Sequence, residues 1–194
     1  LDHVGDRWTL LIVRELLLGP RTFAALQASL DGISPNLLVG RLRSLAADGI
    51  VERNDAPPRS RAVEYRLTEA GAALEPTVLA LIRWGTRWML AGPGDDRVEP
   101  SWTPLALRAL LGETPVERPV AGIVHLVVDG QAVTVAIADG RRTVLAGHHG
   151  PADATVTAPM PIVLGAAVGA LAIPESAITG DRELARLALT PPFG

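Results

Sequence analysis

Apolar residues in the first third of the chain recur at helical spacing and are cut by Gly and Pro stops. Across residues 6–18, Trp8, Leu11, Ile12 and Leu16 follow one helix face, and Gly19-Pro20 ends it. Thr22 fits an N-cap for a short helix over residues 23–30, with Phe23, Leu26 and Leu30 on one side. Asp31-Gly32 turns the chain. Ser34 then caps a third helix with Pro35 at its first position, where a missing N–H costs nothing; this helix runs to about residue 48 and stops at Gly49. Residues 50–53 and 63–67 read as strands around a polar, proline-rich loop that carries Arg59 and Arg61. Thr68 caps a further helical segment, which Pro76 breaks before a second helix bearing Val78, Leu81, Ile82, Trp84 and Trp88.

The pattern changes after a Gly/Pro/Asp cluster at residues 91–100, which reads as a linker. A short helix near 105–111 precedes strands predicted over 120–128, 131–138 and 142–146. Asp129-Gly130 and Asp139-Gly140 separate them, and Asp-Gly is a strong hairpin-turn signal, so the three strands form an antiparallel meander. Residues 153–157 add a fourth strand, residues 162–172 an apolar helix, and Asp181 opens the last helix. The predicted class is α+β: an N-terminal winged helix-turn-helix plus a C-terminal antiparallel sheet covered by helices. The domains fall at 1–91 and 104–194, with 92–103 as linker.

Composition narrows the chemistry. Hydrophobic residues are 48% of 194, enough for a sizeable core. There is no Cys, which excludes disulfides, thiol sensing and cysteine–zinc sites within these residues. All 18 basic residues are Arg, so no lysine is present for a phosphate loop or a Schiff base. The net charge of −3 is uneven, with 11 Arg against 10 acids in residues 1–91 and 7 against 11 in residues 92–194. Basic charge is thus focused in the first half, and the second has no use for nucleic acid. Residues 154–174 carry no charge, but Pro159 and Pro161 leave an apolar run too short for the ~20 residues of a membrane span. No signal peptide is visible, and a cytoplasmic protein is expected. Residue 1 is not Met and the chain opens on helical sequence, so further N-terminal residues are expected ahead of it.

Helix, helix, Ser-Pro-capped helix, then two strands around an Arg-tipped loop is the winged-helix order. At 100° per residue on the third helix, Leu38, Leu42 and Leu45 fall together toward the core. Asn36, Gly40 and Arg43 fall opposite, with Val39 beside them. Asn can bond adenine and Arg guanine in bidentate fashion, and Gly40 lets the helix backbone approach DNA. Ser34, Asn36, Val39, Gly40 and Arg43 are therefore the candidate reading face, and Arg59 and Arg61 the candidate wing contacts to phosphates or a minor groove. An exposed Asn and Arg on one helix alone are more often a solvated face; the ordered set of caps, helices and wing reverses that.

"LDHVGDRWTLLIVRELLLGPRTFAALQASLDGISPNLLVGRLRSLAADGIVER", "VEYRLTEAGAAL" and "LIRWG" closely resemble the HxlR-type winged-helix regulators over about residues 1–90. The resemblance implies a homodimer on a near-palindromic operator, with the third helix in the major groove and the Trp84 helix and an N-terminal segment forming the dimer. Members usually carry a polar pair where this chain has Val39-Gly40. Many sense thiol-reactive or carbonyl compounds through an N-terminal Cys, a residue these 194 positions lack.

The second half, through its meander, "DATVTAPMPIVLGAAVGALA" and "ESAITGDRELARLAL", resembles a sterol carrier protein type 2 fold over about residues 103–190. That resemblance implies helices over a curved sheet with a lipophilic space between them. Leu126, Val128, Val133 and Val135 on the strands and Ile162, Ala166 and Val168 on the apolar helix are the candidate lining for a hydrophobic small-molecule effector. The alternative is that the same residues fill a closed core. His125, His148 and His149 are possible polar contacts without convincing metal spacing. No catalytic motif is present, and no enzyme or cofactor is expected. Three functions remain open: an effector-responsive regulator, a regulator that uses its second half only to dimerise, and a hydrophobic-metabolite carrier.

Overall fold

The computed structural model describes residues 5–54, 63–89, 99–112, 115–116 and 120–191. Its contacts divide the chain into two compact units, Leu1–Val78 and Leu79–Gly194. Among the described residues no helix is long and apolar enough to cross a membrane.

Side-chain caps set the helix starts of the first unit. Asp6 accepts from the backbone N–H groups of Trp8 and Thr9 to open α1 (Arg7–Leu16), and Thr22 accepts from Ala25 to open α2 (Phe23–Ser29). Ser34 accepts from Leu37, with Pro35 in the first turn, to open α3 (Pro35–Ala47). At the other end of α3, Gly49 takes φ 69°, its N–H bonds to Ala46 and that of Ile50 to Leu45. This is a Schellman motif, and buried Ile50 anchors it. Ile12, Val13, Leu16, Leu26, Leu38, Leu42 and Leu45 form the buried apolar side of the three helices, joined by Leu30 and Ile33 from the turn between α2 and α3.

The wing strands are β2 (Val51–Asn54) and β3 (Glu64–Leu67), antiparallel with Val51 opposite Leu67. A third strand, absent from the sequence reading, is β1 (Arg21–Thr22), which pairs with β3 ahead of α2. Two residues are too short to show alternation. Thr68 caps α4 (Glu69–Ala72), and α5 (Glu75–Met89) follows with Pro76 in its first turn; the division between the units falls inside α5.

In the second unit, residues 100–102 form a 3₁₀ turn leading into α6 (Thr103–Leu111). The sheet comprises β4 (Gly122–Val128), β5 (Gln131–Ala138), β6 (Arg141–Ala146), β7 (Ala154–Thr157) and β8 (Ile178–Gly180), in the order β6-β5-β4-β7-β8. Asp129 and Gly130, and Asp139 and Gly140, all take positive φ, as the two tight hairpins require. The expectation of a purely antiparallel sheet is corrected: β7 lies parallel to β4, with Leu126 opposite Val156, so the sheet is mixed. After β6 the chain must cross β5 and β4 before it pairs again, and hydrophobic alternation carries no information on strand direction.

The predicted apolar helix over 162–172 is also corrected. The observed α7 is Met160–Ala167, and Val168 lies beyond its end. It starts early because the Asp129 carboxylate, from the β4–β5 turn, accepts from the Met160 N–H at 2.9 Å. It stops early because Gly169 takes φ 76° and bonds to Ala166 while the Ala170 N–H bonds to Gly165, a second Schellman motif. Gly165 leaves room for Leu171 to fold back on the helix. The last helix, α8 (Arg182–Leu189), is capped by Asp181 as its sequence predicts. Leucines and small residues of α6, α7 and α8 join the inward side of the sheet in one buried cluster.

Candidate DNA-binding face and the second-unit core

Three leucines orient α3. Leu38, Leu42 and Leu45 are each at most 2% exposed, which leaves Asn36, Val39, Gly40 and Arg43 on the solvent side. Ser34 sits at the exposed N-terminal end with its hydroxyl occupied as the cap. Val39 is 44% exposed and Leu37, on the other flank of the helix, 37%. An ideal Cβ built on Gly40 meets nothing within 4 Å, so no packing inside the domain demands glycine there. Arg59 and Arg61 lie outside the described residues. On the strands that carry the wing, Glu52 and Arg66 face each other across β2 and β3 at 2.8 Å.

The sequence reading missed what holds α3 at its angle. The Asp6 carboxylate, already capping α1 and accepting from the Thr9 hydroxyl, pairs with Arg41 of α3 at 2.9 Å. Burial on its own would raise the Asp6 carboxyl. Hydrogen bonds from the Thr9 hydroxyl and the Trp8 and Thr9 backbone, with the Arg41 charge, outweigh it and hold the carboxyl below its ordinary value. Gln27 of α2 donates to the Ile33 carbonyl in the turn before α3. No local pattern links Asp6 to Arg41, since the two are 35 positions apart and meet only through tertiary packing.

On α5 the apolar residues divide. Val78 is buried and Ile82 half-buried, while Leu81, Trp84 and Trp88 are 45%, 58% and 56% exposed. The two indoles meet edge to face, with centroids 4.3 Å apart.

In the second unit Leu126, Val128, Val133 and Val135 are fully buried in a single cluster with Val163, Ala166 and Ala167. Ile162 packs against that cluster half-buried, and Val168 is half-buried past the helix end. Four of the seven candidate lining residues are thus side by side on the inward sheet face, and Ala166 faces them from α7. The opposite sheet face explains the histidines. His125 of β4 stacks on His148 with ring planes parallel and centroids 4.1 Å apart. The Thr134 hydroxyl donates to the Gly147 carbonyl and accepts from the His149 N–H. These contacts seat the crossover from β6 to β7 on the sheet. Among the described residues no group of His, Cys, Asp or Glu could hold a metal ion.

Comparison with known proteins falls on the first half. The family model described as HxlR-like helix-turn-helix matches residues 3–92. Over 89 residues the chain is 36% identical to YvaP, an uncharacterised HTH-type transcriptional regulator of Bacillus subtilis (strain 168), covering 46% of this chain and 82% of that protein. It is 42% identical over 89 residues to Rv3095, an uncharacterised HTH-type transcriptional regulator of Mycobacterium tuberculosis (strain ATCC 25618 / H37Rv), of which it covers only 56%. Among solved structures, the redox regulator HypR in its reduced form aligns at 35% identity and a TM-score of 0.42, over 44% of this chain and 85% of that one.

Proposed function

The chain belongs to the HxlR-like helix-turn-helix family, and from that premise we propose a homodimeric transcriptional regulator that reads operator DNA through α3 and an apolar effector through its second half. The carrying observation is the face of α3: Asn36, Val39, Gly40 and Arg43 stand exposed on a helix whose opposite side is locked down by three buried leucines. Asn36 and Arg43 supply donors and acceptors for base edges, Val39 an apolar contact for a thymine methyl, and Gly40 close backbone approach. Arg59 and Arg61 are assigned to the DNA backbone. The functional division runs 1–91 for DNA and dimer contacts and 104–194 for the effector.

Selection of duplexes from a random pool by the full chain tests this reading. Arg43→Ala should cost about 1–3 kcal/mol on the selected operator and relax preference at one position. Unchanged affinity and preference would remove α3 as the reader.

The effector reading rests on the composition of the second core, whose buried cluster is aliphatic apart from Met160. A ligand shifts operator affinity only by its differential affinity for two dimer geometries. Titrating apolar compounds into the protein–operator complex separates the alternatives. A shift supports the effector; ligand binding without a shift indicates a carrier; no binding leaves dimerisation.

A further inference from the structure

Among the described residues of the second unit, no counter-ion accompanies Arg142. Arg142 is the second residue of β6 and points to the same side as Val144, into the helix-covered face of the sheet, where it is 3% exposed. Its cross-strand neighbour is Ile137, itself 2% exposed. One terminal guanidinium nitrogen donates to the carbonyl of Thr190, the residue that ends α8, at 2.5 Å. Its Nε is buried with no hydrogen-bond partner, and among the described residues no carboxylate pairs with it.

Holding the end of α8 accounts for only part of this arrangement. A helix C-terminus offers roughly half a negative charge, and the Thr190 carbonyl satisfies one of five N–H donors. Other buried groups escape such a mismatch by becoming neutral, but a guanidinium does not lose its proton in a protein. Burial lowers its pKa, yet from a value far above the physiological range. The charge therefore stays, and a buried charge without a partner is costly in proportion to its isolation. The planar fork, with Nε unfilled, has the shape that a carboxylate meets through two parallel bonds.

We propose that Arg142 is the anion-binding residue of the effector site, and that the effector is a monocarboxylic acid with an apolar body. The carboxylate pairs with the guanidinium at the β6 and α8 end of the core, and the apolar body lies against the aliphatic residues of the inward sheet face. The chemistry is set by the two halves together: a fixed positive charge held at the Thr190 carbonyl, and the apolar cluster of the inward sheet face. This assignment rests on the effector reading of the second unit.

Decanoate and decanol share a chain length and differ in the charged headgroup, so calorimetric titration of each into the full chain isolates the role of Arg142. The unaltered protein should bind decanoate at least about tenfold more tightly than decanol, the lower end of what a charge-assisted hydrogen bond supplies. Arg142→Met removes the charge at similar length and should bind the two alike. Arg142→Lys, which keeps the charge without the fork, should retain part of the preference and serves if the Met variant fails to fold. Equal binding of both probes by the unaltered protein, or a preference that survives Arg142→Met, overturns the role of Arg142 while leaving an apolar effector in place. Binding of neither probe overturns both.

Discussion

Two glycines of the first unit sit in opposite surroundings, and the same substitution should separate fold from function at them. A Cβ on Gly71 would lie 2.1 Å from the Ile50 carbonyl oxygen, where α4 is pressed onto the start of the wing. Thr68 fixes that contact by donating to the Gly49 carbonyl and accepting from the Gly71 N–H. Backbone cannot yield as a side chain does, so Gly71→Ala should destabilise the protein by about 2–3 kcal/mol in urea unfolding. Gly40 has open space and ordinary helical dihedrals. Gly40→Ala should therefore stabilise the free protein by ~0.5–1 kcal/mol, as removal of a mid-helix glycine does. If the α3 backbone approaches DNA at this point, the added methyl should weaken operator binding despite the gain in stability. An alanine variant both more stable and equally tight on DNA would take Gly40 out of the interface.

Among the elements, α7 shows how a residue can serve two structures distant in sequence. Asp129 holds φ 48° in the β4–β5 turn and also caps α7 at Met160. Asp129→Ala removes the acceptor and a residue suited to the left-handed region, and should lower the denaturant midpoint by the equivalent of about 1–2 kcal/mol. Asp129→Asn keeps an acceptor and tolerates that dihedral, and should recover most of the loss. An Ala variant as stable as the parent would mean that the Met160 N–H finds another partner. This pairing marks the boundary of what could be read in advance. The Asp129-Gly130 turn was legible because its chemistry is local, as were the Thr22, Ser34 and Asp181 caps. The start of α7 was not, because its cap comes from 31 positions away. Its end was hidden for another reason: Gly169 and Leu171 continue an apolar run, and apolarity alone does not say where a helix folds back on itself. β7 was placed correctly along the chain, but its parallel pairing with β4 depends on the crossover held by His148, His149 and Thr134. The face of α3 was legible because three leucines at helical spacing decide it; the Asp6–Arg41 pair behind it was not.

At the scale of the whole molecule, the proposed homodimer predicts that a second copy of the same helix covers the exposed side of α5. Leu81, Trp84 and Trp88 follow a three-and-four spacing that lines one side of a helix, and all three are about half exposed. Val78 and Ile82, which the sequence grouped with them, turn instead toward their own chain. Buried tryptophans dominate interface energetics, since each withdraws some 150–250 Å² from water. Two copies would bury four of them in an interface related by twofold symmetry, and a palindromic operator presents its half-sites with the same symmetry. Sedimentation of the full chain at micromolar concentration should show a dimer, and Trp84→Ala with Trp88→Ala a monomer with an intact far-ultraviolet spectrum. The same double variant should lose most of its operator affinity, because one α3 retains only half of the contacts. In the competent dimer the two α3 helices should stand about 34–36 Å apart, one turn of DNA. Inserting about five base pairs between the half-sites would rotate one of them to the far side of the duplex and should abolish binding. A strictly monomeric parent, or tight binding that survives the insertion, would exclude this dimer.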